Sequence, residues 1–273
     1  MISKKTNWPV TILLILGAMF IILPLYLAIT IAFKTPQEMA GNLMALPHSW
    51  SFDNFAKAIE MTNFFHALKN SVFVTVLVVI FTVLTNSMVA YAIARNMHKK
   101  FYKYTFYYFV SAMFIPFPII MLPIVRQTAL WGMDNLAGLV ILYIVYNLSF
   151  NIFIYVGYIR SIPKELEEAA IVDGATTWGV FWKVIFPLLA PMNATVAILT
   201  CLGAWNDFLL PLVVLSDSEM ATLPLVQYIF QSQFSTNYNL AFASYLLALI
   251  PMIIVYVFAQ KWIISGVMKG SIK

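Results

Sequence analysis

Long apolar runs separated by short polar connections set the character of this chain. The runs lie near residues 10–33, 70–94, 105–129, 138–159, 188–214 and 239–264, and each is long enough to cross about 30 Å of hydrocarbon as a helix. The pattern predicts an all-α membrane protein: one transmembrane domain over residues 1–273, built as a bundle of about six transmembrane helices. The third run contains Pro116, Pro118 and Pro123. Each proline removes a backbone donor, so that helix should break or kink where protein or a water-lined cavity satisfies the freed carbonyls.

Two connections, 34–69 and 160–187, are long enough to carry structure of their own, and a further one, 215–238, is polar. In the first, residues 34–69, Ser51 offers a helix cap and Phe52, Phe55 and Ile59 share one helical stripe, which suits either a short interfacial helix or a spacer. The connection at 215–238 carries Asp217, Glu219, Gln227, Gln231 and Gln233, and could meet a soluble partner. The second long one, at 160–187, holds the most informative stretch of the chain.

Composition agrees with the runs. Apolar residues make up 62% of the chain and charged residues 10%, against about 25% charged in a soluble domain. The amino-terminal run, preceded by Lys4 and Lys5, is too long for a signal peptide and reads as a retained span. The net charge of +5 is spread between apolar segments instead of forming one basic face, which argues against a nucleic-acid partner. With the amino terminus inside, twelve of the 16 basic residues fall on the inner side. They are Lys4, Lys5, Arg95, Lys99, Lys100, Lys103, Arg160, Lys164, Lys183, Lys261, Lys269 and Lys273; Lys34, Lys57, Lys69 and Arg126 fall outside. Positive loops stay cytoplasmic, so both termini are expected in the cytoplasm, as an even number of spans requires. Cys201 stands alone, and His48, His66 and His98 are scattered; neither a disulfide nor a metal site is expected.

Ser161-Ile-Pro-Lys-Glu-Leu-Glu-Glu-Ala-Ala-Ile-Val-Asp-Gly-Ala has full helix punctuation but is too short and polar to span. Pro163 suits a first turn, Glu165, Glu167 and Glu168 complement the amino-terminal end of the dipole, and Gly174 can stop the helix in a left-handed conformation. A second short helix is expected from Thr177 to Ile185, and Pro187 and Pro191 mark re-entry to the membrane.

The run Glu168-Ala169-Ala170, three residues, Gly174, nine residues, then Val184-Ile185-Phe186-Pro187 resembles the cytoplasmic loop of ATP-binding-cassette importer permeases, Glu-Ala-Ala followed by Gly and Ile-x-Leu-Pro at this spacing. Val184 and Phe186 replace the Ile and Leu of that pattern. The resemblance extends over nearly the whole chain. Asp173-Gly174-Ala175 with Trp178 and Phe181, and Trp205-Asn206-Asp207-Phe208 with Pro211, are similar to the carbohydrate branch, nearest to the second permease subunit of multiple-sugar or maltose-type importers.

The resemblance implies that the loop forms a cytoplasmic coupling helix seated in a groove of an ATPase subunit, with Glu168, Ala169, Ala170, Asp173, Gly174 and Pro187 as the coupling residues. It also implies a second homologous permease subunit, a cytoplasmic ATPase dimer, an extracytoplasmic sugar-binding protein and an oligosaccharide or other sugar as substrate. This chain would be half of the pore, in a bacterial-type inner membrane among its lipids. It would bind no cofactor itself; ATP and magnesium would sit on the partner ATPase. In keeping with this, the phosphate-cradling pattern G-x-x-x-x-G-K-[ST] is absent from the sequence.

Asp207 is the ionisable residue lying well inside a predicted run, where insertion costs about 2.5–3.5 kcal/mol unless the group faces a cavity or a partner. With Trp205 and Asn206 it could line a sugar path, an aromatic face beside polar groups; a structural hydrogen bond is the plainer reading. Asn86, Asn147 and Asn151 either line the same translocation path or link helices by hydrogen bonds. Two rival classes remain. An ion-coupled secondary transporter would need charged relays, for which Asp207 is thin support. A membrane enzyme would need paired carboxylates or a nucleophile with its base, and the runs contain neither.

Overall fold

The computed structural model describes residues 7–230 and 237–271, with side chains described as far as residue 260. Lys4, Lys5, Gln231, Gln233 and Lys273 lie outside the described residues, as do the side chains of Lys261 and Lys269. Regular structure among the described residues is helical, with no strand.

The chain begins with α1 (Trp8–Phe33), which carries a proline in its first turn and Pro24 in its interior. The short α2 (Pro36–Met39) follows, closed by a capping box between Thr35 and Glu38. Next come α3 (Asp53–Met61) and α4 (Phe64–Arg95). The proline-rich run then folds as two helices, α5 (Lys100–Ala112) and α6 (Phe117–Trp131), bent by 102° across the break that ends at Pro116. The kink expected from the prolines is therefore a full break. Asn135 caps α7 (Leu136–Ser161) by accepting from the Gly138 N–H at 3.1 Å.

After α7 the chain forms α8 (Glu165–Val172) and α9 (Thr177–Val180), then a π-helical turn at Phe181–Ile185 and α10 (Phe186–Leu188). Pro187 has no N–H to give to the carbonyl four residues back, which suits a widened turn just before it. The expected second short helix ends at Ile185; the observed helical stretch continues to Leu188 and bends by 74° into α11 (Ala190–Asn206). The predicted run 188–214 is likewise interrupted: α11 ends at Asn206, Asp207 is extended, and α12 (Leu209–Val214) resumes. A 3₁₀ turn at Ser218–Met220, α13 (Leu223–Gln227), a second 3₁₀ turn at Tyr228–Phe230 and α14 (Tyr238–Ser271) complete the order.

Among the described residues α1, α4, α7 and the Tyr238–Gln260 part of α14 are each long and apolar enough to cross a bilayer unbroken, and counting each bent pair as one span gives up to six. Contacts divide the chain into two compact units, one running up to Phe65 and including Val226–Ile253, the other comprising His66–Leu225 and the chain from Ile254.

In the first unit α3 packs on the end of α1, with the Phe33 ring 5.3 Å from Phe52 and 5.0 Å from Phe55. Of the stripe read from the sequence, Phe55 packs against the core of this unit while Phe52 stays 69% exposed. Buried Lys34 donates through Nζ to the carbonyls of Asn42 and Leu43 at 2.9 and 2.8 Å, and Asn54 donates to those of Ala32 and Lys34. Gln227, expected on a polar surface, is buried and donates to the Ser244 carbonyl.

The second unit has two apolar cores. One joins Ala90 and Ile93 of α4, Ile152 and Tyr155 of α7, Phe181 of the π turn and Val196 of α11. The other joins Val74 and Val78 to Leu139, Tyr143, Leu210 and Val214. Lipid chains are as apolar as leucine, so tight packing and interhelical hydrogen bonds, more than burial from water, hold such helices together.

Candidate functional site

An eight-residue helix is marginal by itself, and α8 is fixed at both ends. At its carboxyl end Gly174 has φ +85°, its N–H bonds the Ile171 carbonyl at 3.0 Å, and the Ala175 N–H bonds the Ala170 carbonyl at 2.9 Å. These two bonds make a Schellman motif. A Cβ at Gly174 would meet nothing within 4 Å, so the backbone conformation, not space, demands glycine there. Thr176 then caps α9 by accepting from the Gly179 N–H at 3.2 Å.

The other fixture is an ion pair joining α8 to the end of α4. Arg95 Nε donates to Glu167 Oε1 at 2.6 Å, Tyr91 Oη donates to Glu167 Oε2 at 2.7 Å, and Arg95 Nη2 reaches the Ile162 carbonyl at 3.1 Å. The two charged side chains are each 11% exposed. Both carboxylate oxygens and two guanidinium nitrogens are thereby satisfied, the condition under which a buried pair is tolerated. Sequence reading grouped Glu167 with Glu165 and Glu168 as dipole partners and counted Arg95 only as a positive loop residue; neither number pointed to the other.

With Glu167 turned inward, the rest of α8 faces away. Glu168, Ala169, Asp173, Gly174 and Pro187 are exposed, whereas Ala170 is half-buried against the α4–α7 core. Leu166, Ile171, Val172 and Trp178 are 45%, 58%, 86% and 65% exposed. α8 itself is too short to span, and an exposed apolar patch outside the spans marks an interaction site; Trp178 lies in the bent pair Thr177–Leu188 and Ala190–Asn206, which can count as a span.

A second feature is a cavity of about 400 Å³ lined by Phe117, Tyr143, Tyr146, Asn147, Asn206 and Asp207, with Leu202, Gly203, Ala204, Leu209 and Leu210. It opens where the chain is broken at Asp207. Tyr143 Oη donates to Asp207 Oδ2 at 2.9 Å, and the Leu209 N–H donates to Oδ1 at 3.0 Å. A carboxylate offers about four lone-pair sites, which leaves acceptor capacity for a ligand hydroxyl. Asn147 and Asn206 spend their Nδ2 groups on the carbonyls of Tyr143 and Leu202.

The cavity gathers three of the six residues read as a candidate path, Asn147, Asn206 and Asp207. The other three lie outside its lining. Trp205 is buried in packing at 6% exposure, and Asn86 and Asn151 are buried with Nδ2 atoms that have no protein partner. Asn151 sits one turn from Asn147, beside buried Ile152 on α7. The aromatic walls are Phe117, Tyr143 and Tyr146, none of them singled out in the sequence, where nothing local sets them apart from the other aromatic residues of the apolar runs.

The family described as binding-protein-dependent transport system inner membrane component matches residues 86–269. The multiple sugar-binding transport system permease protein MsmG of Streptococcus mutans is 39% identical, covering 96% of this chain and 95% of that protein. The melibiose/raffinose/stachyose import permease protein MelC of Bacillus subtilis is 31% identical, covering 97% and 96%. The probable starch degradation products transport system permease protein AmyC of Thermoanaerobacterium thermosulfurigenes is 34% identical, covering 92% and 91%. In fold, the chain matches one chain of the crystal structure of a bacterial ABC transporter involved in the import of the acidic polysaccharide alginate, with a TM-score of 0.78 at 23% identity over 96% of this chain and 98% of the other. A chain from the bacterial alginate ABC transporter in complex with an alginate pentasaccharide-bound periplasmic protein gives a TM-score of 0.69 at 19% identity, covering 93% of each. With the family matched over residues 86–269 and relatives of 31–39% identity over nearly the full length, the chain belongs to the binding-protein-dependent transport system inner membrane components, integral membrane permeases.

Proposed function

We propose that this chain is one permease subunit of an ATP-driven sugar importer and that α8 is the coupling helix that joins it to a separate ATPase. The observation that carries this reading is the construction of α8: a short helix outside the spans, locked to α4 by the Arg95–Glu167 pair while Leu166, Ile171 and Val172 stay exposed. A helix tied in this way moves as a rigid body, so force applied to its free face is delivered to a membrane-spanning helix. The sugar permeases among the relatives support the substrate class.

In this reading both termini and α8 face the cytoplasm, a homologous permease completes the pathway, and a binding protein delivers sugar from the other side. ATP, with its magnesium, is hydrolysed on the ATPase dimer. ATP binding closes that dimer, α8 follows it, and the paired permeases turn their cavity outward; hydrolysis resets them. The cavity at Asp207 contributes to the path: its carboxylate accepts hydrogen bonds from sugar hydroxyls, and Phe117, Tyr143 and Tyr146 offer ring faces to the sugar's C–H surface. The test is uptake by vesicles containing the copurified complex. Accumulation that requires ATP inside and persists without an ion gradient is the expected result; accumulation driven by an ion gradient in the absence of ATP would replace this reading with secondary transport.

A further inference from the structure

Where α4 and α7 end, beside the first turn of α8, a pocket of about 460 Å³ is walled by Arg95, His98, Arg160, Ser161, Lys164 and Glu165, among others. Arg95 is committed to Glu167. Arg160 and Lys164 make no ion pair among the described residues, so the permanent charges around the pocket, three cations against Glu165 and Glu167, leave an excess of positive charge. His98 adds a further nitrogen donor. The wall also includes the start of α8, where the Glu167 and Glu168 N–H groups bond the Lys164 carbonyl and the first-turn glutamates already meet the positive end of the helix dipole, so the side-chain cations supply the site's attraction for an anion. Both flanking helices are long and apolar enough to cross a bilayer, and the pocket lies at their ends, where spanning helices meet phospholipid headgroups.

We propose that this pocket binds a phosphate group, supplied by the headgroup of an acidic phospholipid. Basic pockets between spanning helices suit this ligand because the phosphate meets cations at the height where its acyl chains still lie in the bilayer. Arg95 gives the site a mechanical consequence. The same guanidinium that lines the pocket holds Glu167, so a bound phosphate adds a third element to the clamp on α8. That consequence for coupling rests on the role proposed for α8, whereas binding itself does not.

The full-length chain, purified in detergent, is titrated with phosphatidylglycerol or phosphatidylcholine and its lipid adducts are read by native mass spectrometry. R160Q/K164Q removes the two unpaired cations and leaves the Arg95–Glu167 pair in place, and K99Q/K100Q removes two neighbouring cations outside the pocket. Phosphatidylglycerol binding is expected to weaken about tenfold in R160Q/K164Q, with little change in K99Q/K100Q and none for phosphatidylcholine. Equal binding by R160Q/K164Q and the wild type, or an equal loss in K99Q/K100Q, would overturn the site. Inorganic phosphate in millimolar excess should leave the lipid adducts in place; complete displacement would overturn the lipid as the source. If R160Q/K164Q keeps its lipid adducts but loses a copurifying ATPase, the face belongs to a protein partner and the proposal fails. Lipid binding is read without transport, so a failed coupling role for α8 would not alter its outcome.

Discussion

At the residue scale the decisive distinction is between Glu167 and Glu168. Adjacent positions on a helix point about 100° apart, and that rotation sends Glu167 into Tyr91 and Arg95 while Glu168 stays exposed. Removing one partner of a buried pair strands the other charge. Glu167→Ala should therefore cost about 3–5 kcal/mol, whereas replacing both Arg95 and Glu167 with leucine should cost much less than either single change. Thermal unfolding of the purified chain measures both; additive losses would show that the pair is not coupled. The sequence made the acidic cluster legible but not its division of labour, because helix phase relative to α4 is a tertiary property and Arg95 lies 72 residues away. The same limit applies to Asn147 and Asn151, which share a helical face in sequence but are separated by packing, one lining the cavity and the other sealed in the helix interface.

At the scale of elements the chain is punctuated by residues whose backbone chemistry is restrictive. The broken spans follow from this: Pro116 and Pro118 end one helix and start the next, a break the sequence displayed openly. The π turn before Pro187 was not legible beyond the proline itself, and the polar Asn206-Asp207 pair marked the place of the second interruption without showing that the helix stops there. Gly174 was legible, and its φ of +85° sets a prediction. Gly174→Val forces a β-branched residue into the left-handed region at a cost of about 1–2 kcal/mol, enough to open the Schellman turn while the spans remain folded. ATP hydrolysis by the complex should continue while uptake falls, and uptake equal to wild type would remove Gly174 from the coupling role. The α2 turn carries a pH dependence. The Glu38 carboxyl is held down at about 2, from an ordinary 4.5, chiefly by the Thr35 N–H, then by the His48 N–H and the Thr35 hydroxyl. A depressed carboxyl stabilises the folded form fully above its unfolded value and loses that contribution as pH falls through its folded one. Hydrogen-exchange protection of the Thr35 and His48 amides should therefore hold above about pH 4.5 and decline toward pH 2; protection unchanged across that window would contradict the capping role of Glu38.

At the scale of the whole molecule, the apolar runs were enough to give the helical class and the approximate number of spans, because a bilayer forces every spanning backbone to satisfy its own hydrogen bonds. Boundaries moved outward for most spans, as α4 beginning at Phe64 and α14 ending at Ser271 illustrate; polar residues at helix ends snorkel and are lost from a hydropathy reading. The division into two units was not visible in the run pattern, since Val226–Ile253 returns to the amino-terminal segment across some 160 intervening residues. The central claim is that the exposed face of α8 is where a separate ATPase engages this permease. The direct measurement is copurification from the native membrane of the tagged full-length chain and of its I171E/V172E variant, which charges that face and leaves Glu167, Arg95 and Gly174 untouched. The account predicts that the intact chain brings down an ATPase and a second permease, and that the variant keeps the permease and loses the ATPase. An ATPase retained by the variant, or an intact chain that comes down alone, would contradict it.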